Sequence, residues 1–115
     1  MNKSNLGRFV LQLARSLEIS DAKIAEALMI SRATVSQWRL GVKSMPDREA
    51  LILSWVCFEH CQIRQQINKI TNHTQELLLK VNEEFVAMDP RDFEALKAEA
   101  SKEIDRIKST KELTR

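Results

Sequence analysis

The stretch from Ser20 to Gly41, S-D-A-K-I-A-E-A-L-M-I-S-R-A-T-V-S-Q-W-R-L-G, constrains the fold more than any other part of the chain. Its apolar residues fall at helical spacing in two short sets, Ile24, Ala25 and Leu28 and then Val35 and Trp38, each lining one face of a helix. Ser20 and Ser31 stand where these helices start, and a serine hydroxyl there can accept from the orphan N–H groups of the opening turn. Gly41 supplies the stop after the second. Only Met29 to Ser31 separate the two, which suits a sharp crossing rather than an antiparallel hairpin. The pair must bury facing stripes, and the second helix keeps its other face outward.

That outward face is short, polar and free of acid. Between Ser31 and Lys43 it offers Arg32, Thr34, Ser36, Gln37, Arg39 and Lys43, with no Asp or Glu. Arginine reads guanine bidentately, glutamine reads adenine, and hydroxyls bond to bases or phosphates, so the face suits duplex DNA. An acidic protein surface would suit it almost as well.

The run I-A-E-A-L followed by I-S-R-A-T-V-S-Q-W-R-L-G resembles the lambda-repressor-like (Cro/XRE) helix-turn-helix family, whose usual form is close to L-A-x-x-L-G-V-S-x-x-T-I-S-x-W-E-x-G. Ala25 matches the small residue where the two helices touch, Val35 and Trp38 match the buried recognition-helix positions, and Gly41 matches the closing glycine. The match covers about the first half of the chain. The resemblance implies that Ser31, Arg32, Ala33, Ser36 and Gln37 face bases, Ala33 offering a methyl to thymine, while Thr34, Arg39 and Lys43 hold phosphates. Ser44, beside Lys43, is also placed to grip a phosphate. Two positions depart from the pattern. Met29 replaces the turn glycine, and a non-glycine at positive φ costs on the order of 1 kcal/mol. Asp21 stands where the family often has a phosphate-contacting glutamine; it favours the helix N-terminus and repels DNA.

Two Gly and two Pro among 115 residues leave little material for turns, which predicts an all-α chain of long helices. The net charge is only +2, so any DNA binding must come from local arrangement. Residues 1–62 carry 8 basic and 6 acidic side chains, whereas 63–115 carry 10 of each, so the excess sits with the first half. No apolar run approaches the ~20 residues that span a bilayer, and M-N-K-S-N-L-G-R lacks the apolar core of a signal peptide. The expectation is a cytoplasmic protein with no membrane association. Cys57 and Cys61, four apart in a helical stretch, are awkwardly placed for a disulfide and should be reduced thiols.

Ahead of the central stretch, Ser4 or Asn5 can cap a helix through about Leu17, with Leu6, Phe9, Val10, Leu13 and Leu17 as its apolar stripe. Behind it, Pro46-Asp47 opens a helix, and neither Gly nor Pro recurs before Met88. Leu51, Trp55 and Phe58 can close the first core. Stepping alternately by three and four from Leu53 gives Val56, His60, Ile63, Ile67, Ile70, Thr74, Leu77, Val81, Glu84 and Met88, an approximate heptad seam on one long helix. Leu53, Val56, Ile63, Ile67, Ile70, Leu77 and Val81 are its apolar members. Asp89-Pro90 ends that helix and starts another, with Phe93, Leu96, Ala100, Ile104 and Ile107 as its stripe and a frayed tail after Ser109.

Cys57, His60 and Cys61 fall at spacings of three and four, but only these three ligand types cluster and His73 is more than three turns away, so no metal is expected. Glu83 and Glu84 are adjacent and point apart. No nucleophile triad or glycine-rich phosphate loop is apparent, so the chain reads as no enzyme and as needing no cofactor. These readings combine into a helix-turn-helix domain over 1–62 and a helical oligomerisation element, coiled coil or hairpin, over 63–115. The plan is similar to that of phage lambda CII-type regulators in A-E-A, V-S-Q-W and L-S-W. The resemblance implies a double-stranded DNA-binding transcriptional regulator of phage, plasmid or mobile-element type, a repressor before an activator. It would bind a two-fold operator as a homo-oligomer, with a dimer favoured and a tetramer open. A small-terminase-like DNA-packaging protein, or an antitoxin or adaptor binding a protein through its C-terminal helices, are the alternatives.

Overall fold

A computed structural model describes residues 5–66 and 70–113, all of whose regular structure is helical. The helices are α1 (Leu6–Ser16), α2 (Asp21–Leu28), α3 (Arg32–Arg39), α4 (Asp47–Gln66), α5 (Asn72–Ala87) and α6 (Pro90–Leu113). α1 packs against both α4 and α5, α2 against α3 and α4, and α6 against α4. Leu6, Val10, Leu13, Ala14 and Leu17 of the α1 stripe are buried, as are Ile24, Ala25, Leu28, Val35 and Trp38 of the two short helices. Each large apolar side chain withdrawn from water in this way contributes roughly 1.5–3 kcal/mol. Among the described residues no helix is long and apolar enough to cross a membrane.

The ends of the first three helices share one solution. The Ile19 N–H donates to the Ala14 carbonyl, Ile30 to Ala25 and Val42 to Gln37, at 2.9, 3.0 and 2.9 Å. In each case the residue before the donor lies in the left-handed region: Glu18 at φ 62°, Met29 at 52° and Gly41 at 77°. This six-to-one closure occupies carbonyls that would otherwise end unpaired, and it turns the chain sharply enough to cross helix on helix. Only one of the three positions carries glycine. Met29 is exposed, so Met29→Gly should relieve the backbone at little loss of packing. A net gain of about 0.5–1 kcal/mol is expected, after allowing for the greater freedom of glycine in the unfolded chain. A thermal melt checks this, and an unchanged or lower midpoint would mean that the Met29 side chain contributes more than its exposure indicates.

Three expectations need correction: the continuous long helix, its seam and the frayed tail. The helix opened at Asp47 does not run through to Met88: α4 ends at Gln66, and α5 starts afresh after Thr71. Thr71 caps α5 in extended backbone, its Oγ1 accepting from the Thr74 N–H at 3.2 Å. α5 then returns along α1 and buries Leu77, Val81 and Thr74 there. Of the expected seam, Leu53, Leu77 and Val81 are thus buried within the chain, Val56 and Ile70 are half-buried, Ile63 is exposed, and Ile67 lies outside the described residues. No continuous heptad seam is presented to a partner among the described residues. One apolar cluster takes in Leu6, Leu53, Cys57, Leu77, Val81 and Ala100. Asn5 makes no side-chain hydrogen bond to the start of α1, and Ser4 is outside the described residues. Finally, α6 stays helical to Leu113.

Candidate nucleic-acid interface

α3 is set by its two ends. Ser31, in extended backbone at φ −73°, ψ 150°, accepts the Thr34 N–H on Oγ at 3.1 Å, and the Thr34 hydroxyl lies 2.8 Å from the same oxygen. At the far end the Leu40, Gly41, Val42 and Lys43 N–H groups return to Ser36, Trp38 and Gln37 carbonyls, which fixes the loop that carries Lys43 and Ser44. Val35 and Trp38 anchor the inner face.

The sequence-derived candidates separate on this frame. Arg32 and Ala33 on α3 and Lys43 and Ser44 in the loop behind it are exposed, and Ser36 and Gln37 on α3 are half-exposed. Ser31 and Thr34 are also at the surface, but their hydroxyls are engaged with each other in capping the helix. Arg39 is not a free cation: its Nε donates to Asp21 Oδ2 at 3.0 Å, bridging the end of α3 to the start of α2. Both partners are substantially solvated, so the pair adds only ~0–1 kcal/mol to stability. Its effect is to hold the guanidinium in place and cancel the charge of Asp21, the acid standing where the helix-turn-helix pattern has glutamine.

Two further cations were hidden from sequence reasoning. A groove of about 810 Å³ lies between α1 and the end of α3, lined by Trp38 and Met45 and by four cations, Arg8, Arg15, Arg39 and Lys43, against two acids, Glu18 and Asp21. Arg8 and Arg15 sit seven residues apart on the exposed face of α1, and that spacing was the available signal. Their nearness to Lys43 depends on how α1 meets the loop after α3. That contact is close, because a Cβ at Gly7 would come within 2.9 Å of Met45 Cβ and 3.2 Å of its carbonyl oxygen.

Cys57 and Cys61 are buried in α4 and unbridged, and burial together with the neighbouring Cys61 thiol pushes Cys57 up to about 12, so it carries no thiolate at neutral pH. Among the described residues no three His, Cys, Asp or Glu side chains gather in a way that could hold a metal ion. The chain matches no family model, no curated protein and no solved structure.

Proposed function

We propose that this protein is a sequence-specific double-stranded DNA-binding transcriptional regulator of the lambda-repressor-like helix-turn-helix kind, a repressor in the first instance. On this reading it has no catalytic role and acts as an oligomer on a two-fold operator. The observation that carries the proposal is the mounting of α3. A short helix, capped by Ser31 and closed at Gly41, turns an exposed face without a single acidic residue away from the core. The crossing that presents it is made by a left-handed residue at position 29, where the related sequence pattern has glycine. Arg32, Ala33, Ser36 and Gln37 then reach base edges, while Lys43 and Ser44, joined by Arg8 and Arg15, lie where a phosphate strand would pass.

Duplex binding measured across a range of salt tests this. A single phosphate contact contributes a slope of about 0.9 in log K against log salt. Lys43→Ala should therefore make the dependence shallower by ~1 and weaken operator and scrambled duplex equally. Asp21→Asn should act in the opposite sense, because it releases Arg39 and removes an acid from the edge of the surface. Tighter binding and a steeper slope are expected for it. Should neither substitution alter the salt dependence, this surface does not meet the phosphate backbone and the proposal fails.

A further inference from the structure

We infer that the groove between α1 and the end of α3 is a binding site for a small organic anion with an apolar body, and that this ligand displaces DNA. The displacement rests on the proposed function; the site itself does not. Three features select the occupant. The groove's volume of about 810 Å³ falls within the roughly 300–1,000 Å³ of small-molecule sites. Its lining includes apolar surface that the core does not use up, since Leu40 is 67% exposed and Leu11 half-buried, beside Trp38 and Met45. Its cations outnumber its acids four to two.

The charge is also unevenly placed. Asp21 is already paired with Arg39, whereas Arg8, Arg15 and Lys43 have no acid partner among the described residues. Gly7 lies against Met45, so Arg8, next to the one, and Lys43, just ahead of the other, line the same end of the groove. Glu18 and Asp21 come after the far end of α1, whose 11 residues extend about 16 Å. The chain ahead of Asn5 brings Lys3 and no acid. One end of the groove is therefore basic and acid-free. An anionic head group there accepts charge-assisted hydrogen bonds from the Arg8 guanidinium and the Lys43 ammonium. The apolar body of the same molecule covers Leu11 and Leu40 and gains by leaving water. A cationic ligand is repelled, and a neutral one forgoes the charged contacts. A phosphate strand uses the cations and leaves the apolar lining bare, so the groove offers more than duplex binding requires. Arg8 and Lys43 are also among the proposed phosphate contacts, and a ligand that engages them competes with DNA.

Anilinonaphthalene sulfonate, an aromatic anion that fluoresces when shielded from water, tests the site by titration into the full chain without DNA. Saturable binding of one probe per chain is expected. Phenylnaphthylamine, the same rings without the sulfonate, should bind at least ~10-fold more weakly. Arg8→Gln with Lys43→Gln should cost the anionic probe at least ~10-fold as well. Both side chains are exposed, so circular dichroism and the melting midpoint should stay those of the parent. Lys102→Gln with Lys108→Gln removes as much charge from exposed positions on α6 and should leave probe binding untouched. With any duplex that the parent binds, the probe at roughly ten times its dissociation constant should raise the duplex Kd about tenfold. Equal binding of phenylnaphthylamine would make the groove a plain apolar face, and displacement of the probe by equimolar inorganic phosphate would make it a plain anion site. Undiminished affinity in the Arg8, Lys43 variant would put the probe elsewhere, and each of these three results overturns the site. Probe and duplex bound together overturn the competition. A chain that takes the probe as expected and binds no duplex upholds the site and defeats the proposed function, so the two failures are told apart.

Discussion

Leu77→Ala is expected to lower the free energy of unfolding by about 2–5 kcal/mol, and by the same amount at every protein concentration. Leu77 is 1% exposed, at the centre of the contact between α5 and α1, and truncating a buried leucine loses both its transfer free energy and the contacts around the cavity left behind. Beside it, Thr74 is hydrogen bonded across the same contact to Ser16, so the surroundings are tied and cannot easily collapse into the space. Concentration independence is the discriminating part. A residue in an intermolecular seam stabilises by mass action, and its loss would weaken with dilution along with the assembly. Urea titrations at two widely separated protein concentrations measure it. A loss that shrinks on dilution would return Leu77 to an intermolecular role and contradict the packing of α5 on α1.

The second large effect is expected at Arg32. Its side chain is exposed at the first position of α3 and lies at the start of the acid-free face. If it reads guanine, Arg32→Ala should cost about 1–3 kcal/mol on the preferred duplex and relax preference at one base pair, with little change on a scrambled duplex. The asymmetry between the two duplexes is what identifies base reading. Equal weakening on both would make Arg32 another phosphate contact and shift the burden of recognition to Gln37 and Ser36. Selection of bound sites from random duplexes, with parent and variant side by side, gives the same answer and yields the operator sequence as well.

The parts of the molecule that were legible in the sequence are those governed by local rules. Ser20 and Ser31 cap the helices they precede, Pro90 opens α6, and Gly41 closes α3, because caps and breakers act over a few residues. The stripe on α1 and the inward faces of α2 and α3 follow from helical period alone. The break between α4 and α5 was not legible from Gly and Pro. α4 ends at Gln66 and α5 restarts behind Thr71, a good N-cap, with neither Gly nor Pro between them. A heptad count ran through it because Thr74, Leu77 and Val81 are spaced like a seam whether the partner is another chain or α1. Periodicity shows that a face is buried and is silent on what covers it. The candidate surface divided in the same way. The acid-free run on α3 could be read directly, whereas the Asp21–Arg39 pair and the nearness of Arg8 and Arg15 to Lys43 arise from tertiary contacts between separate helices.

The return of α5 onto α1 also sets an order of events at the ribosome. Ser16 and its partner Thr74 are 58 residues apart, and the α1 stripe that they border is shared between α4 and α5. At a synthesis rate of roughly 5–20 residues per second, α1 waits about 3–12 s before the helix that completes its cover has even been made. α2 and α3 can fold on themselves during that interval, but the α1 scaffold that backs them is only half enclosed. The surface proposed to meet DNA therefore reaches its final rigidity only once residues far downstream have been translated.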